Sequence, residues 1–181
     1  MLIRLFHYMR YDWPLHFILL LTNWLPDNIQ VLRLRGILAK PFFGSCGSDF
    51  RLGRSIYFYN PSSVYLGSNI YIATGCAFIA VGEICLGDEV VLGPYVVLSA
   101  GNHTKINGSY RYGSPEITPI SIGFGTWVGS HSTILGGAKI GKGCLIASNS
   151  AVTRGSFPDN SFVVGTPAKI KREINEDFVS L

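Results

Sequence analysis

From Ile122 onward the large aliphatic residues fall at a fixed interval. Ile122, Val128, Ile134, Ile140, Ile146 and Val152 stand six residues apart without a break. Four places after each comes a small residue: Thr126, Ser132, Ala138, Cys144, Ser150 and Ser156. The same interval recurs upstream in three blocks, Leu86-Leu92-Leu98, Leu66-Ile72-Phe78-Ile84 and Leu52-Phe58-Val64, set apart by two-residue slips. Six is not a helical period, but it holds one short strand plus a corner. Three such faces close a triangular prism. The large aliphatic fills its centre, and the small residue sits near a corner where glycine or asparagine lets the chain turn. Successive coils then stack at about 4.8 Å with hydrogen bonds along the axis. The pattern predicts an all-β parallel β-helix of about fourteen faces, between four and five coils, roughly 20–25 Å long.

A prism exposes strand edges and apolar interior at both ends, so each end needs a cap. Residues 1–45 read as a helical N-terminal cap. It holds one amphipathic helix over 15–25, stopped at Pro26-Asp27-Asn28, and a second from Asn28 to Leu38. The prism occupies 46–160. Residues 161–181 form the tail, with a C-terminal helix from Lys169 to Leu181 whose Glu173, Glu176 and Asp177 face solvent. The apolar run Leu15–Leu21 is too short for a span, which needs about 20 apolar residues, and no secretory cleavage site follows it. With Arg33, Arg35 and Lys40 nearby, the apolar cap suggests peripheral contact with the inner face of the cytoplasmic membrane. Burial against the prism end or a neighbouring subunit is the alternative.

The period breaks once. Between Leu98 and Ile122 an unbroken coil would put Thr104, Tyr110 and Glu116 in the core. Residues 104–119 are therefore expected to leave the prism as a loop, and a long excursion from a rigid scaffold is usually functional. His103 stands where it departs, after Gly101 and Asn102. An imidazole, with an ordinary pKa of about 6.5, suits a general base.

Composition narrows the partners. At 181 residues, 48% hydrophobic and 14% charged, the chain is one folded domain rather than a disordered or coiled-coil protein. So few charges suggest a surface covered by other subunits. The 21 glycines follow no Gly-X-Y period. A net charge of +4 suits a small phosphate-bearing ligand, and without a Lys/Arg run no nucleic acid is expected. The four cysteines form no C-x-x-C pair and read as reduced core thiols, which points to a cytoplasmic protein.

Three runs carry a family resemblance: Leu92-Gly93-Pro94-Tyr95-Val96-Val97-Leu98-Ser99-Ala100-Gly101-Asn102-His103, then 126–137 from Thr126-Trp127-Val128-Gly129-Ser130-His131, then Ile146-Ala147-Ser148-Asn149-Ser150-Ala151-Val152-Thr153-Arg154. Together with Gly165-Thr166-Pro167-Ala168-Lys169-Ile170-Lys171-Arg172 they resemble the hexapeptide-repeat acetyltransferases that modify galactosides and maltose, over residues 50–174. The N-terminal Trp13–Asn28 run and Leu32-Arg33-Leu34-Arg35-Gly36 look more like enzymes that acetylate bacterial surface polysaccharides. The resemblance implies a left-handed coil, a homotrimer, and acetyl-CoA as co-substrate in a groove between two prisms. It implies His103 as the base for direct attack of a sugar hydroxyl on the thioester. Trp127 would wall the groove near the thioester. Ser130 and Ser148 would meet the pantetheine arm, Thr153 and Arg154 the far end of CoA, and Lys169 and Arg172 its phosphates. For each cation the plain alternative is a solvated surface charge.

On the acceptor side the family's asparagine is missing from Ala73-Thr74-Gly75-Cys76, and its N-terminal motif is absent, so simple galactosides and maltose are not expected. Tyr110, Arg111 and Tyr112 on the loop are candidates to contact a sugar or glycan, and Asn102 to orient His103 or the acceptor. His131 reads as groove surface, and His7 and His16 carry no assigned chemistry. An N-acetyltransferase acting on an amino sugar or antibiotic, or an acyl carrier protein as donor, stays open. A γ-carbonic-anhydrase-like metal enzyme would need three converging histidines, two of them five residues apart in that family. The prism histidines His103 and His131 are 28 apart, so no metal is expected.

Overall fold

The computed structural model describes residues 2–175, with side chains from Leu5 onward. Short parallel strands wind into a three-faced solenoid. The first face stacks Ser45–Cys46, Val64–Leu66, Ile84–Leu86, Ile120–Ile122, Ala138–Ile140 and Gly155–Phe157. The second stacks Arg51–Leu52, Tyr71–Ile72, Val91–Leu92, Trp127–Val128, Leu145–Ile146 and Ser161–Gly165. The third stacks Tyr57–Tyr59, Ala77–Ile79, Val97–Ser99, Thr133–Leu135 and Ala151–Val152. That is about six coils, one more than the repeat count predicted. The extra coil comes from Ser45–Cys46 at one end and the Gly155–Gly165 stretch at the other, where the spacing is irregular.

Register explains the irregularity. Leu52, Ile72 and Leu92 stack at intervals of 20 residues, so the two-residue slips are longer coils, not breaks. Val128 to Ile146 takes 18, and Ile146 to Val163 takes 17. Because the last coil is one residue short, Phe157 lies opposite Ile140. Ser156, expected at an inward corner, is exposed, and Ser161 takes the buried place. The central column is fully buried, each aliphatic contributing roughly 1.5–3 kcal/mol. Small polar residues at the corners stay satisfied: Thr126 Oγ1 donates to the Gly141 carbonyl at 2.8 Å, and Ser132 Oγ to that of Ala147 at 2.9 Å.

At the N-terminal end α1 (Leu2–His7) runs through a π-helical turn (Tyr8–Asp12) into α2 (Trp13–Thr22). Then α3 (Ile29–Ala39) starts at Asn28, whose side chain accepts the Val31 N–H at 3.0 Å. Gly36 lets α3 lie directly on the first coil; a Cβ there would stand 1.9 Å from the Phe50 carbonyl oxygen. Phe43 and Phe50 close the prism interior edge to face. Arg35 is not the surface cation that its charge suggested. It is fully buried, bonded to Asp27 (3.0 Å) and to the carbonyls of Leu52 (2.7 Å) and Thr22 (3.1 Å). It joins α2 and α3 to the prism.

At the other end the expected helix from Lys169 is a strand as far as Glu173. Ala168–Glu173 folds back antiparallel on Ser161–Gly165. The last coil leaves an unpaired edge, and the returning strand pairs with it. Glu176 and Asp177 of that expectation lie outside the described residues. Among the described residues no helix is long and apolar enough to cross a membrane.

Candidate active site

The period breaks at the corner between the third and first faces. After Val97–Ser99 the chain turns outward, and Gly101–Asn102 pairs antiparallel with Glu116–Ile117 before Ile120 re-enters the core. The excursion thus begins at Gly101, three residues earlier than expected, with a two-stranded neck at its base. Gly101 is required there: a Cβ would meet the Val81 side chain at 2.8 Å. Farther out, Ile106 and Ser109 bond each other across Asn107-Gly108, whose φ values of 48° and 81° make a tight hairpin turn. Asn-Gly is a strong turn signal that the sequence reading passed over. Thr104 Oγ1 donates to the Ser114 carbonyl at 2.6 Å and holds the loop's two limbs together.

His103 is the first residue beyond the neck strand, with its ring exposed. Asn102, paired opposite Glu116 in the neck, precedes it. The Glu116 carboxylate forms an ion pair with Arg154, two coils along the same corner. Arg154 hydrogen-bonding and charge hold the Glu116 carboxyl below the ordinary carboxylate range, and Asn102 adds to the effect. The arginine reaches the neck across Gly137, where a Cβ would stand 2.9 Å from its Cγ. Asn102, His103, Glu116 and Arg154 therefore share one corner. Glu116 had appeared in the sequence only as a residue unfit for the core.

The corner between the second and third faces collects a different set. Ser130 and Ser148 occupy equivalent places in successive coils, since Gly129 N–H bonds the Ile146 carbonyl at 2.8 Å and Asn149 N–H that of Ser130 at 3.0 Å. Tyr95 and His131 occupy the adjoining turn with φ of 60° and 59°, a conformation non-glycine residues seldom adopt. Their rings stack at 5.0 Å and 15°. The tail hairpin continues this corner: Gly165 N–H donates to Ser150 Oγ (3.2 Å), and Thr166 Oγ1 to the Asn149 carbonyl (3.3 Å). Lys169 and Arg172 lie on that hairpin's outer strand, the Arg172 guanidinium 5.4 Å from the centre of the Phe162 ring. Trp127, half-exposed, stands on the adjoining second face between Val91 and Leu145. Cationic side chains at the end of a column of small polar corners fit an extended ligand with phosphates at one end.

Within one chain, then, Thr153 and Arg154 lie with His103 and apart from Ser130, Ser148 and Lys169. The width of the third face, about 10 Å for three residues, separates the two corners. Tyr110, Arg111 and Tyr112 are exposed at the loop tip, with Lys105 stacked near Tyr110 and Arg111 near Tyr112.

One feature escaped the sequence altogether. His7, Tyr8 and Asp12 of the cap, with Tyr59, Asn60 and Val81 of the prism, line a pocket beside the neck, Val81 being the residue that Gly101 packs against. His7 Nε2 lies 3.2 Å from Asn60 Oδ1 and 3.0 Å from Ser62 Oγ. One Asp12 carboxylate oxygen is buried without a protein partner, and burial pushes this carboxyl up against the opposing pull of His7. These groups are some fifty residues apart in sequence, so no local motif could announce them. Among the described residues no three His, Cys, Asp or Glu side chains are grouped to hold a metal ion.

Comparison with known proteins places this architecture. Residues 119–154 match the model of the bacterial transferase hexapeptide (six repeats). The chain is 31% identical to galactoside O-acetyltransferase of Escherichia coli K12 over 142 residues, which is 78% of this chain and 70% of that protein. A solved galactoside acetyltransferase in complex with coenzyme A superposes with a TM-score of 0.78 at 28% identity, covering 89% of this chain and 79% of the other. A maltose O-acetyltransferase from Clostridium difficile 630 has the same fold, with a TM-score of 0.77 at 24% identity over 94% of this chain and 89% of its own. On the repeat, the register and these likenesses, the chain belongs to the hexapeptide-repeat acetyltransferases.

Proposed function

We propose that this protein is an acetyl-CoA-dependent O-acetyltransferase that acts as a homotrimer on a sugar hydroxyl of a bacterial surface polysaccharide or its precursor, at the inner face of the cytoplasmic membrane. The observation that carries the reading is His103, exposed at the mouth of a neck that Glu116 and Arg154 hold shut. In a trimer, the His103 corner of one prism faces the Ser130–Ser148 corner of its neighbour across a groove, and the two sets separated by the third face within a chain come together. The imidazole takes the proton of the acceptor hydroxyl as its oxygen attacks the thioester carbonyl. The C–S bond breaks, and the imidazolium returns the proton to the departing thiolate, so that acetyl ester and free CoA leave with His103 neutral again. Holding both substrates in one groove supplies much of the remaining acceleration. Lys169 and Arg172 engage the CoA phosphates. The pocket beside the neck takes the acceptor, with His7, Asp12 and Asn60 as polar groups of its lining.

The test is incubation with acetyl-CoA and a panel of neutral sugars, nucleotide sugars, amino sugars and polysaccharides. Thiol release is followed together with a mass gain of one acetyl group. Acetyl ester on a glycan hydroxyl is the expected product. Modification confined to amines would make the enzyme an N-acetyltransferase, and thiol release without an acetylated product would remove the reading.

A further inference from the structure

We propose that the outward face of the N-terminal cap docks on an anionic lipid surface. Helix α2 is apolar on two opposite sides. Leu15, Leu19 and Thr22 are buried on the inward side. At 100° per residue Trp13, Phe17, Leu20 and Leu21 fall on the opposite side, at i, i+4, i+7 and i+8, and Trp24 lies just past the helix end. All five are more than half exposed, from 51% for Trp13 to 77% for Trp24. Ile37 on α3 is 69% exposed as well. A helix apolar all round lies between two apolar phases. One is the prism end, and the outward stripe calls for another.

Two observations choose lipid over a second copy of the chain. Tryptophans flank the stripe at both ends, the arrangement of a helix lying along a membrane interface. The charge also fits. Residues 1–43 hold five Lys or Arg against two Asp, so this quarter of the chain carries +3 of the net +4. Neither carboxylate opposes the stripe, since Asp27 pairs with buried Arg35 and Asp12 lines the pocket beside the neck. Arg10, Arg33 and Lys40 are exposed on the cap, Arg33 reaching Asp49 of the prism. Two caps meeting face to face would bring like net charges together, whereas an anionic bilayer attracts the cap's cations and takes in its apolar side chains. The pocket lies on the same cap segment, through His7, Tyr8 and Asp12, so docking would hold the acceptor site near the bilayer. The inference rests on the proposed function only for that last consequence.

The experiment is flotation of the full chain with vesicles of phosphatidylglycerol and phosphatidylethanolamine, or of phosphatidylcholine alone, without acetyl-CoA or acceptor. The variant is Phe17→Glu/Leu21→Glu, both positions exposed and clear of the pocket and neck. The protein should float with the anionic vesicles, less so with phosphatidylcholine or in high salt, and the variant's partition should fall about a hundredfold. Light scattering should find the same oligomer for both proteins, and turnover of a soluble acceptor should be equal. Absence of flotation, or equal flotation of the variant, would overturn the proposal. So would loss of the oligomer in the variant, which would make the stripe an interface between copies. Because flotation needs no catalysis, failure here removes the membrane location and leaves the acetyltransferase reading standing, and the converse holds.

Discussion

The two ends of the prism solve one problem in opposite ways. Each must cover an open strand edge and an apolar interior. The N-terminal end uses three helical segments, seals the core with Phe43 and Phe50, ties itself down through buried Arg35, and is left with a surplus of apolar surface. The C-terminal end uses only a strand folded back on the last coil, and its outer strand is mostly basic, with Lys169, Lys171 and Arg172 around a half-exposed Ile170. The helices do more than close the end: they bring His7 and Asp12 to the neck and present an apolar stripe outward. The hairpin end, by contrast, places cations where a phosphate-bearing ligand would end.

The largest effect should come from cutting the tie at the helical end. Arg35→Ala empties a fully buried site and leaves the Leu52 carbonyl without its donor, and unfolding in denaturant should show a loss of about 2–4 kcal/mol. The same experiment on Lys169→Ala/Arg172→Ala should cost at most about 1 kcal/mol, the loss of the Arg172 contact with the Phe162 ring. There the loss is functional: the KM for acetyl-CoA should rise about tenfold while kcat holds, because each cation meets the phosphates equally before and during reaction. If this pair destabilises the fold as Arg35→Ala does, the contrast between the ends fails.

Asp12 sharpens the contrast more gently. Its carboxyl is raised on folding, so the native state holds its proton more tightly than the unfolded chain, and ionisation costs stability at neutral pH. Asp12→Asn should raise the melting temperature at pH 7, and the gain should shrink as pH falls toward about 4. Turnover should drop modestly, the pocket lining having exchanged a carboxyl for an amide. The smallest effect concerns Glu116, whose depressed carboxyl steadies the neck above its unfolded pKa and releases it as pH falls through the lower folded value. The Asn102 side-chain amide resonance should titrate with a midpoint below the ordinary carboxylate value of about 4.3, and Arg154→Ala should move that midpoint up.

Much of this was readable in advance because a solenoid repeats itself. An aliphatic every six residues leaves little choice of architecture, and the break after Leu98 marked the loop and His103. What stayed hidden depends on contacts across long separations. The charge of Arg35 reads as surface until the carbonyls of Leu52 and Thr22 are seen around it. The 161–173 hairpin mixes Lys169, Lys171 and Arg172 with Ile170, and nothing local decides between helix and strand; the unpaired edge decides. The pocket joins Asp12 to Val81, and no spacing rule links a cap residue to a coil corner.

His103→Ala, measured for acetyl-CoA affinity by calorimetry and for turnover on the best acceptor of the panel, goes straight to the central claim. The account predicts unchanged affinity and a turnover lower by about 10²–10⁴-fold. A variant that binds acetyl-CoA and keeps the wild-type rate would show that the imidazole at the neck is not the base.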